Sequence, residues 1–347
     1  MGSGIAVNSF GIADDVWAAA VTAQLTQLQH TSNLYYSGPC ALLAKALCER
    51  TGMKKVFFGN SGAEANECAI KVARKYAADK YGADRHVIVT LKQSFHGRTL
   101  TTLAATGQDH FHELFQPLTP GFVYAEPNNI EGLRRIVAEN KVAGILMECI
   151  QGEGGINPLD DAYLQAAEKL ANEQDILLMI DEVQTGHGRT GDLYAYMHAG
   201  IHPDVVTTAK GIGGGLPLGL CMIGEKAKDT LGPGDHGSTF GGNPVCCAGA
   251  LTILNRIDDD LLADVRKKSD YIVKTLSAVP GIESVTGRGL MLGILPKHMT
   301  AKEAVLACME RGVICLTAKN KVRLLPALNI PMEQVEKAVA VIAEVCA

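Results

Sequence analysis

The sequence predicts an α/β protein with a large domain built on a mostly parallel sheet and a smaller C-terminal α+β domain. Between residues 55 and 225, short apolar runs alternate with helical patterns, and this alternation is typical of parallel strands connected by helices. From Asn243 onward, two long helical patterns follow one another directly and shorter strand and helix patterns come after them. A TIM barrel is the competing fold for the first part, but it fits the C-terminal part poorly.

The strands of the first part are predicted from runs that are almost continuously apolar, as expected for strands covered by helices on both faces. These runs lie at 55–59, 86–91, 122–125, 143–150, 176–180, 204–208 and 219–224. Helical patterns occupy 63–81, 129–140 and 161–174.

The C-terminal part is predicted to contain helices at 244–257 and 261–278, a strand at 285–295, a helix at 300–311, strands within 313–325 and a helix at 332–346. We place the domain boundary within the two successive helices. The large domain then comprises residues 1–250 and the small domain residues 251–347.

The composition is that of an ordinary globular protein and argues against several functional classes. A net charge of −5 and a pI of about 6.1 disfavour a nucleic-acid or anionic-membrane surface. No apolar run approaches the roughly 18 residues that span a bilayer, and the first residues lack the pattern of a signal peptide. The ten cysteines are scattered without a C-x-x-C pair, which disfavours a metal site or disulfide framework and favours a cytoplasmic location.

Asp181 and Lys210 are the first candidate functional residues, because each comes at or just after the end of a predicted strand and is followed by a Gly-rich stretch. A lysine at such a position can form a Schiff base, and a carboxylate can hold the ring nitrogen of an aromatic cofactor protonated. Taken alone, each residue fits an ordinary loop lysine or solvated aspartate better than a cofactor site.

Other segments add candidates of the same kind. Ser61 and Glu64 form a capping-box pattern at the start of a helix, and a helix N-terminus of this type can bind phosphate. Phe95 can stack on a flat ring, and Arg98 offers a bidentate contact to a carboxylate. Arg323 lies inside an apolar run and therefore needs a partner or an anionic ligand.

Taken together, these segments resemble the class III pyridoxal 5′-phosphate (PLP) aminotransferases of fold type I. The matching segments occur in the order typical of the family and cover almost the whole chain. They are GIAVN (4–8), HTSNLYY (30–36), FFGNSGAEAN (57–66), FHGRT (95–99), QGEGG (151–155), DEVQTG (181–186), TAKG (208–211), GSTFGGNP (237–244) and RLLPAL (323–328).

The resemblance implies a role for each matching position around the cofactor. Lys210 corresponds to the Schiff-base lysine, Asp181 to the partner of the ring nitrogen and Gln184 to the partner of the phenolic oxygen. Further cofactor-binding positions flank the ring or bind the phosphate group, with Thr239 reaching across from the second subunit of a homodimer. These positions are Ser61, Gly62, Ala63, Phe95, His96, Val183 and Thr239.

The resemblance also implies how substrates bind. Arg98 is expected to hold the α-carboxylate of the substrate, and Ser238 is placed among the substrate-binding residues. Glu153 is expected to mask Arg323 for the amino donor and to move away so that Arg323 binds a glutamate carboxylate. Gly4 favours an N-acylated donor, so the expected reaction transfers an amino group from N-acetylornithine to 2-oxoglutarate.

Several alternatives stay open at the level of sequence. The donor could instead be succinylornithine, succinyldiaminopimelate, ornithine or γ-aminobutyrate. An aminomutase of the same fold is disfavoured because it needs no second carboxylate site. The family normally has an N-terminal arm before the GIAVN segment, so we expect a shortened arm and consider a PLP-binding chain with impaired activity. Residues 11–15 also depart from the Gly-His-x-His-Pro pattern of the family.

Overall fold

The computed structural model describes residues Met1–Ala347 and contains two main β-sheets. The strands are β1 (Lys55–Gly59), β2 (Val87–Leu91), β3 (Phe122–Ala125), β4 (Val142–Met147), β5 (Ile150–Gln151), β6 (Asn157–Pro158), β7 (Leu177–Asp181), β8 (Val205–Thr208), β9 (Gly219–Ile223), β10 (Ile282–Arg288), β11 (Met291–Pro296), β12 (Leu316–Ala318) and β13 (Lys321–Leu324). The helices are α1 (Ser3–Ala6), α2 (Asp15–Leu25), α3 (Gly38–Thr51), α4 (Gly62–Tyr81), α5 (Leu100–Ala105), α6 (Ile130–Glu139), α7 (Asp161–Glu173), α8 (Ala195–His198), α9 (Pro244–Asn255), α10 (Asp259–Ser277), α11 (Ala301–Glu310) and α12 (Met332–Cys346).

The larger sheet has seven strands in the order β1-β9-β8-β7-β4-β2-β3. The pairs from β8 to β3 are parallel, whereas β9 is antiparallel to both of its neighbours. The mostly parallel sheet is therefore confirmed, and the reversal of β9 is a feature that the sequence analysis did not predict. Its cause is the link from β8, which contains only the 3₁₀ turn Lys210–Ile212. A parallel return requires a longer crossover connection, usually a helix.

The central strands are buried on both faces, which explains why their sequences are almost continuously apolar. Every residue of β4, β7 and β9 is buried. Helix α4 covers one face and approaches the sheet closely because Ala65, Ala69 and Ala73 lie on its buried side. The N-terminal end of this helix is thereby fixed at the edge of the sheet where the active-site candidates lie.

The smaller sheet is antiparallel, in the order β10-β11-β13-β12, and has a hydrophobic core of its own shared with α10, α11 and α12. The prediction of one strand over 285–295 is wrong, because the chain turns at Gly289 and forms the hairpin β10-β11. Gly289 has a φ of +57°, and a Cβ atom there would come within 2.5 Å of the Arg189 carbonyl oxygen. The boundary between residues 250 and 251 stays a prediction.

The first residues lie between two parts of the chain that carry site candidates. The amide of Leu325 donates to the Met1 carbonyl at 2.7 Å, and the Ser9 hydroxyl donates to the Gly211 carbonyl at 3.0 Å. Helices α2 and α3, which the sequence analysis did not assign, follow this segment.

Asp14 gives a structural account of the unusual segment 11–15. Its carboxylate caps α2 by accepting a hydrogen bond from the Trp17 amide at 3.3 Å. The same carboxylate forms a bidentate ion pair with Arg256, which follows α9. An acidic residue here therefore fastens α2 to α9.

No helix of the structure is both long enough and apolar enough to cross a membrane.

Candidate active site

A cavity of about 480 Å³ opens where strands of the larger sheet reach their carboxyl ends. Asp181 is the last residue of β7, and the other site segments follow β1, β2, β4 and β8. Carboxyl ends of parallel strands meet at one edge of a sheet, where ligands of α/β proteins bind. The cavity is lined by Val7, Asn60, Ser61, Gly62, Ala63, Asn66, Phe95, His96, Gly97, Arg98, Glu148, Glu153, Asp181, Val183, Gln184, Ala209, Lys210, Gly215, Leu216, Pro217 and Leu218.

The carboxylate of Asp181 is held by three neighbours. Its Oδ2 atom accepts a hydrogen bond from Asn66 Nδ2 at 2.7 Å and lies 2.8 Å from His96 Nδ1. Its Oδ1 atom accepts a hydrogen bond from the Val183 amide at 2.9 Å. Asp181 is buried apart from its access to the cavity, so these contacts hold its carboxylate in one orientation there.

Lys210 lies on the cavity wall in the turn that reverses the chain between β8 and β9. Its φ of +47° is unusual for a residue with a side chain, and strained conformations of this kind cluster at functional sites. Burial lowers the pKa of Lys210 below its usual value, although the nearby carboxylates of Glu153, Asp181 and Glu148 act in the opposite direction. A lysine with a lowered pKa is neutral in a larger fraction of molecules, and the neutral amine is the nucleophile.

The N-terminus of α4 forms one wall of the cavity. Ser61 caps this helix, because its hydroxyl accepts a hydrogen bond from the Glu64 amide at 3.2 Å. The first amide groups of a helix lack carbonyl partners within the helix and favour an anion. Gly62 is required at this point, because a Cβ atom would lie 2.7 Å from Val183 Cγ1.

Glu148 is a cavity residue for which the sequence suggested no role. The predicted strand 143–150 breaks after Met147, and the buried Glu148 carboxylate accepts hydrogen bonds from the amides of Phe95 at 2.8 Å and Gly152 at 2.9 Å. Burial raises the pKa of Glu148 to about 7. The contact fixes the loop that carries Phe95 beside the loop that carries Glu153.

The two predicted carboxylate-binding arginines have different surroundings. Arg98 is exposed at the cavity, and its guanidinium lies over the rings of Phe95 and Phe111. Arg323 is buried on β13, behind the cavity lining, and its Nη1 atom donates to Glu153 Oε1 at 2.5 Å.

Gln184 links the two members of the buried ion pair. Its Oε1 atom accepts a hydrogen bond from Arg323 Nη1 at 3.2 Å, and its Nε2 atom donates to Glu153 Oε1 at 3.3 Å. Burial raises the pKa of Glu153, but the neighbouring Arg323 outweighs this effect and the pKa lies below its usual value. The buried Nε atom of Arg323 has no hydrogen-bond partner, so the pair leaves a donor unused.

Besides Arg323, two other predicted site residues lie outside the cavity lining. Ser238 accepts a hydrogen bond from Asn60 Nδ2 at 3.1 Å. Thr239 is exposed in a separate surface groove, together with His30 and Asn33. The fold of a single chain therefore does not bring Thr239 to the cavity.

The chain matches the family of class-III aminotransferases over residues 1–346. It belongs to this family. The resemblance stated from sequence is thereby confirmed, together with the α/β fold and the assignment as a PLP-dependent aminotransferase.

Relatives and solved structures agree with this assignment. The acetylornithine aminotransferase of Haemophilus ducreyi is 51% identical over 344 residues, covering 99% of this chain and 88% of the relative. The N-acetylornithine aminotransferase of Stenotrophomonas maltophilia is 34% identical with a TM-score of 0.86, covering 99% of this chain and 89% of that one. The ornithine aminotransferase of Toxoplasma gondii is 30% identical with a TM-score of 0.94, covering 99% of this chain and 85% of that one.

The cavity fits the PLP cofactor of the family. It has a lysine on its wall, a buried carboxylate that accepts three contacts, and a capped helix N-terminus for an anion. Gly62 also packs closely against Val183, and both residues line the cavity. No larger side chain fits at position 62 without displacing Val183.

Proposed function

We propose that this aminotransferase transfers an amino group from N-acetylornithine to 2-oxoglutarate, yielding N-acetylglutamate semialdehyde and glutamate, as a step of arginine biosynthesis. The observation that carries the proposal is the buried Arg323, masked by Glu153 beside the cavity that holds Lys210. A transaminase of this type binds two substrates in one site, and only one of them brings a second carboxylate. While Glu153 pairs with Arg323, the donor meets no net positive charge at this position. Once Glu153 has moved away, Arg323 presents its positive charge to 2-oxoglutarate. The names of the related enzymes support the choice of donor.

The proposed cofactor contacts use the residues that line the cavity. Ser61, Gly62 and Ala63 would bind the phosphate group at the N-terminus of α4. Asp181 would hold the ring nitrogen protonated, and Phe95 and Val183 would enclose the two faces of the ring. Gln184 would donate to the phenolic oxygen, and His96 would support Asp181.

Lys210 is proposed to act twice. Its neutral amine would hold the cofactor, and once released it would move a proton from the carbon that carries the donor amino group. When bound, PLP supplies a carbonyl group for the donor amine and an electron-withdrawing ring beside that carbon. Because the base is tethered next to the carbon, positioning contributes much of the rate.

Substrate recognition is proposed to depend on the two arginines. Arg98 lies exposed at the cavity and would bind the α-carboxylate of N-acetylornithine, which lies at the opposite end of the donor from the reacting amine. Arg323 would bind the second carboxylate of 2-oxoglutarate or glutamate once Glu153 has moved away. The unused Nε donor of Arg323 is available to such a carboxylate, which would allow a bidentate contact.

We propose a homodimer with a shared active site. Large apolar side chains are exposed near the N-terminus, including Leu34 (86% exposed) and Tyr36 (101% exposed), and such groups mark protein interfaces. Thr239 lies in a groove of its own chain, so it would bind phosphate in the cavity of the second subunit. Ser238 would contact substrate there.

The ten cysteines, all free, support a location in the cytoplasm.

The two half-reactions test the proposal separately. N-acetylornithine should bleach the visible absorption of the PLP-loaded enzyme, and 2-oxoglutarate should restore it with release of glutamate. Ornithine, succinylornithine, succinyldiaminopimelate and γ-aminobutyrate, tested at equal concentrations, should bleach it more slowly. Faster bleaching by one of these donors would reassign the substrate. Failure of 2-oxoglutarate to restore the absorption would refute the proposed acceptor.

A further inference from the structure

We infer that Asn66 and Thr207 are positioning residues that hold Asp181 in place for the ring nitrogen of the cofactor. The inference deepens the proposed function and rests on it, because it takes Asp181 to be the ring-nitrogen partner. Asn66 belongs to the first turns of α4 and Thr207 to β8. Neither residue was assigned a role from sequence.

The Asn66 amide is fully engaged in the protein interior. Its Nδ2 atom donates to Asp181 Oδ2 at 2.7 Å and to the His96 carbonyl at 2.8 Å. Its Oδ1 atom accepts a hydrogen bond from the Thr207 hydroxyl at 2.6 Å. Asn66 is 1% exposed and Thr207 is 0% exposed, so water does not substitute for these contacts.

The neighbours of Asn66 determine which way its amide points. A backbone carbonyl can only accept a hydrogen bond, so the amide atom that faces His96 must be the nitrogen. The Thr207 hydroxyl donates to the opposite atom, the oxygen. The nitrogen that faces His96 is also the one that faces Asp181. Thr207 therefore acts on Asp181 through Asn66, by keeping a donor directed at the carboxylate.

The arrangement also fixes the rotation of the Asp181 side chain. Asn66 and His96 contact Oδ2, whereas the Val183 amide holds Oδ1. Thr207 is the direct neighbour of Asp181 in the β7–β8 register, so the network is built into adjacent strands. Without the Asn66 donor, the carboxylate can rotate and less of its negative charge stays at the position of the ring nitrogen.

The chain supplies a matched control. Thr90 is a second fully buried threonine of the same sheet, and its hydroxyl has no hydrogen-bond partner. Thr207→Val and Thr90→Val remove the same hydroxyl from the same kind of environment. Only the first substitution removes a hydrogen bond to Asn66.

The test measures the PLP dissociation constant of each variant by absorbance titration and the protonation of the ring nitrogen by NMR with ¹⁵N-labelled PLP. Asn66→Leu should weaken PLP binding about tenfold, the low end of what a lost hydrogen bond to a charged group predicts. Thr207→Val should weaken it about threefold, and both variants should show less protonated ring nitrogen at neutral pH. Thr90→Val should leave both quantities unchanged.

The outcomes separate this inference from the proposed function. If the wild-type chain binds no PLP, the proposed function fails. If it binds PLP while Thr207→Val matches Thr90→Val in both measurements, only the positioning role is overturned. Should Asn66→Leu not fold, the comparison of the two threonine variants still decides. A variant that loses thermal stability but keeps wild-type ring protonation would also contradict the inference, because it would show a purely structural role.

Discussion

Replacing Glu153 by alanine should shift the preference of the enzyme from N-acetylornithine toward glutamate. In the structure, Glu153 holds Arg323 through a charge-assisted hydrogen bond of 2.5 Å, and the Arg323 side chain is only 5% exposed. A carboxylate of glutamate must break this contact before it can bind Arg323. The cost of breaking a hydrogen bond between charged groups is about 1.5–3 kcal/mol, which corresponds to a factor of about 10–150 in affinity.

The expected size of the effect differs between two substitutions. Glu153→Ala removes the mask, so the ratio of kcat/KM for glutamate to that for N-acetylornithine should rise about tenfold or more. Glu153→Gln keeps a hydrogen-bond acceptor but removes the charge, and the ratio should rise by an intermediate factor. Gln184 still accepts a hydrogen bond from Arg323 at 3.2 Å, which limits the loss of stability when the carboxylate is removed.

The assay is the rate of each half-reaction for the wild-type and variant enzymes, with thermal unfolding as a check on folding. Glu126→Ala is the matched control, because it removes an ion pair with Lys92 in which both side chains are about half exposed. Exposed pairs of this kind contribute little, so the ratio should not change. A ratio for Glu153→Ala within twofold of the wild-type value would refute the masking role.

Three further predictions follow from other contacts. Lys210→Ala should abolish turnover while far-UV circular dichroism stays unchanged; measurable turnover would remove Lys210 from the mechanism. Burial raises the pKa of Glu182 from 4.5 to about 7. The folded state therefore keeps this proton to a higher pH than the unfolded state. The stability that this group contributes is complete below pH 4.5 and is lost as the pH rises through about 7, a change of about 3 kcal/mol. Denaturant unfolding of Glu182→Gln should show a shallower decline over this range than the wild type, and parallel profiles would contradict the assignment. Asp14→Ala should lower the free energy of unfolding by about 1–2 kcal/mol, because it removes the α2 cap and the ion pair with Arg256. Asp15→Ala is the control: it changes an exposed neighbour and should change the free energy of unfolding by less than about 0.5 kcal/mol.

The residues at the strand ends could be located from sequence because their neighbourhood follows from topology. Asp181 and Lys210 end adjacent parallel strands or directly follow them, and such ends meet at one edge of a sheet. The helix start at Ser61 carries its own local pattern. These positions can be predicted without knowing any contact between residues that are distant in the sequence.

Other features depend on contacts that no local pattern reports. Glu153 and Arg323 are 170 positions apart. The sequence shows only that Arg323 lies in an apolar run and therefore needs a partner; it does not show that Glu153 is this partner. The sequence around Asn66 is typical of an ordinary helix, and the sequence around Thr207 is typical of an ordinary strand. Their hydrogen bonds with Asp181 can therefore be seen only in the three-dimensional structure. The reversal of β9 and the positive φ of Lys210 depend on one short connection, whose direction apolar periodicity does not specify.

The proposed chemistry depends on covalent attachment of the cofactor to Lys210. The most direct test is to reduce the PLP-loaded enzyme with borohydride, digest it and locate the modified lysine by mass spectrometry. One modified peptide, carrying the cofactor on Lys210, is expected from the wild-type chain, and no modified peptide from Lys210→Ala. A cofactor trapped mainly on another lysine, or equal labelling of the Lys210→Ala variant, would contradict it.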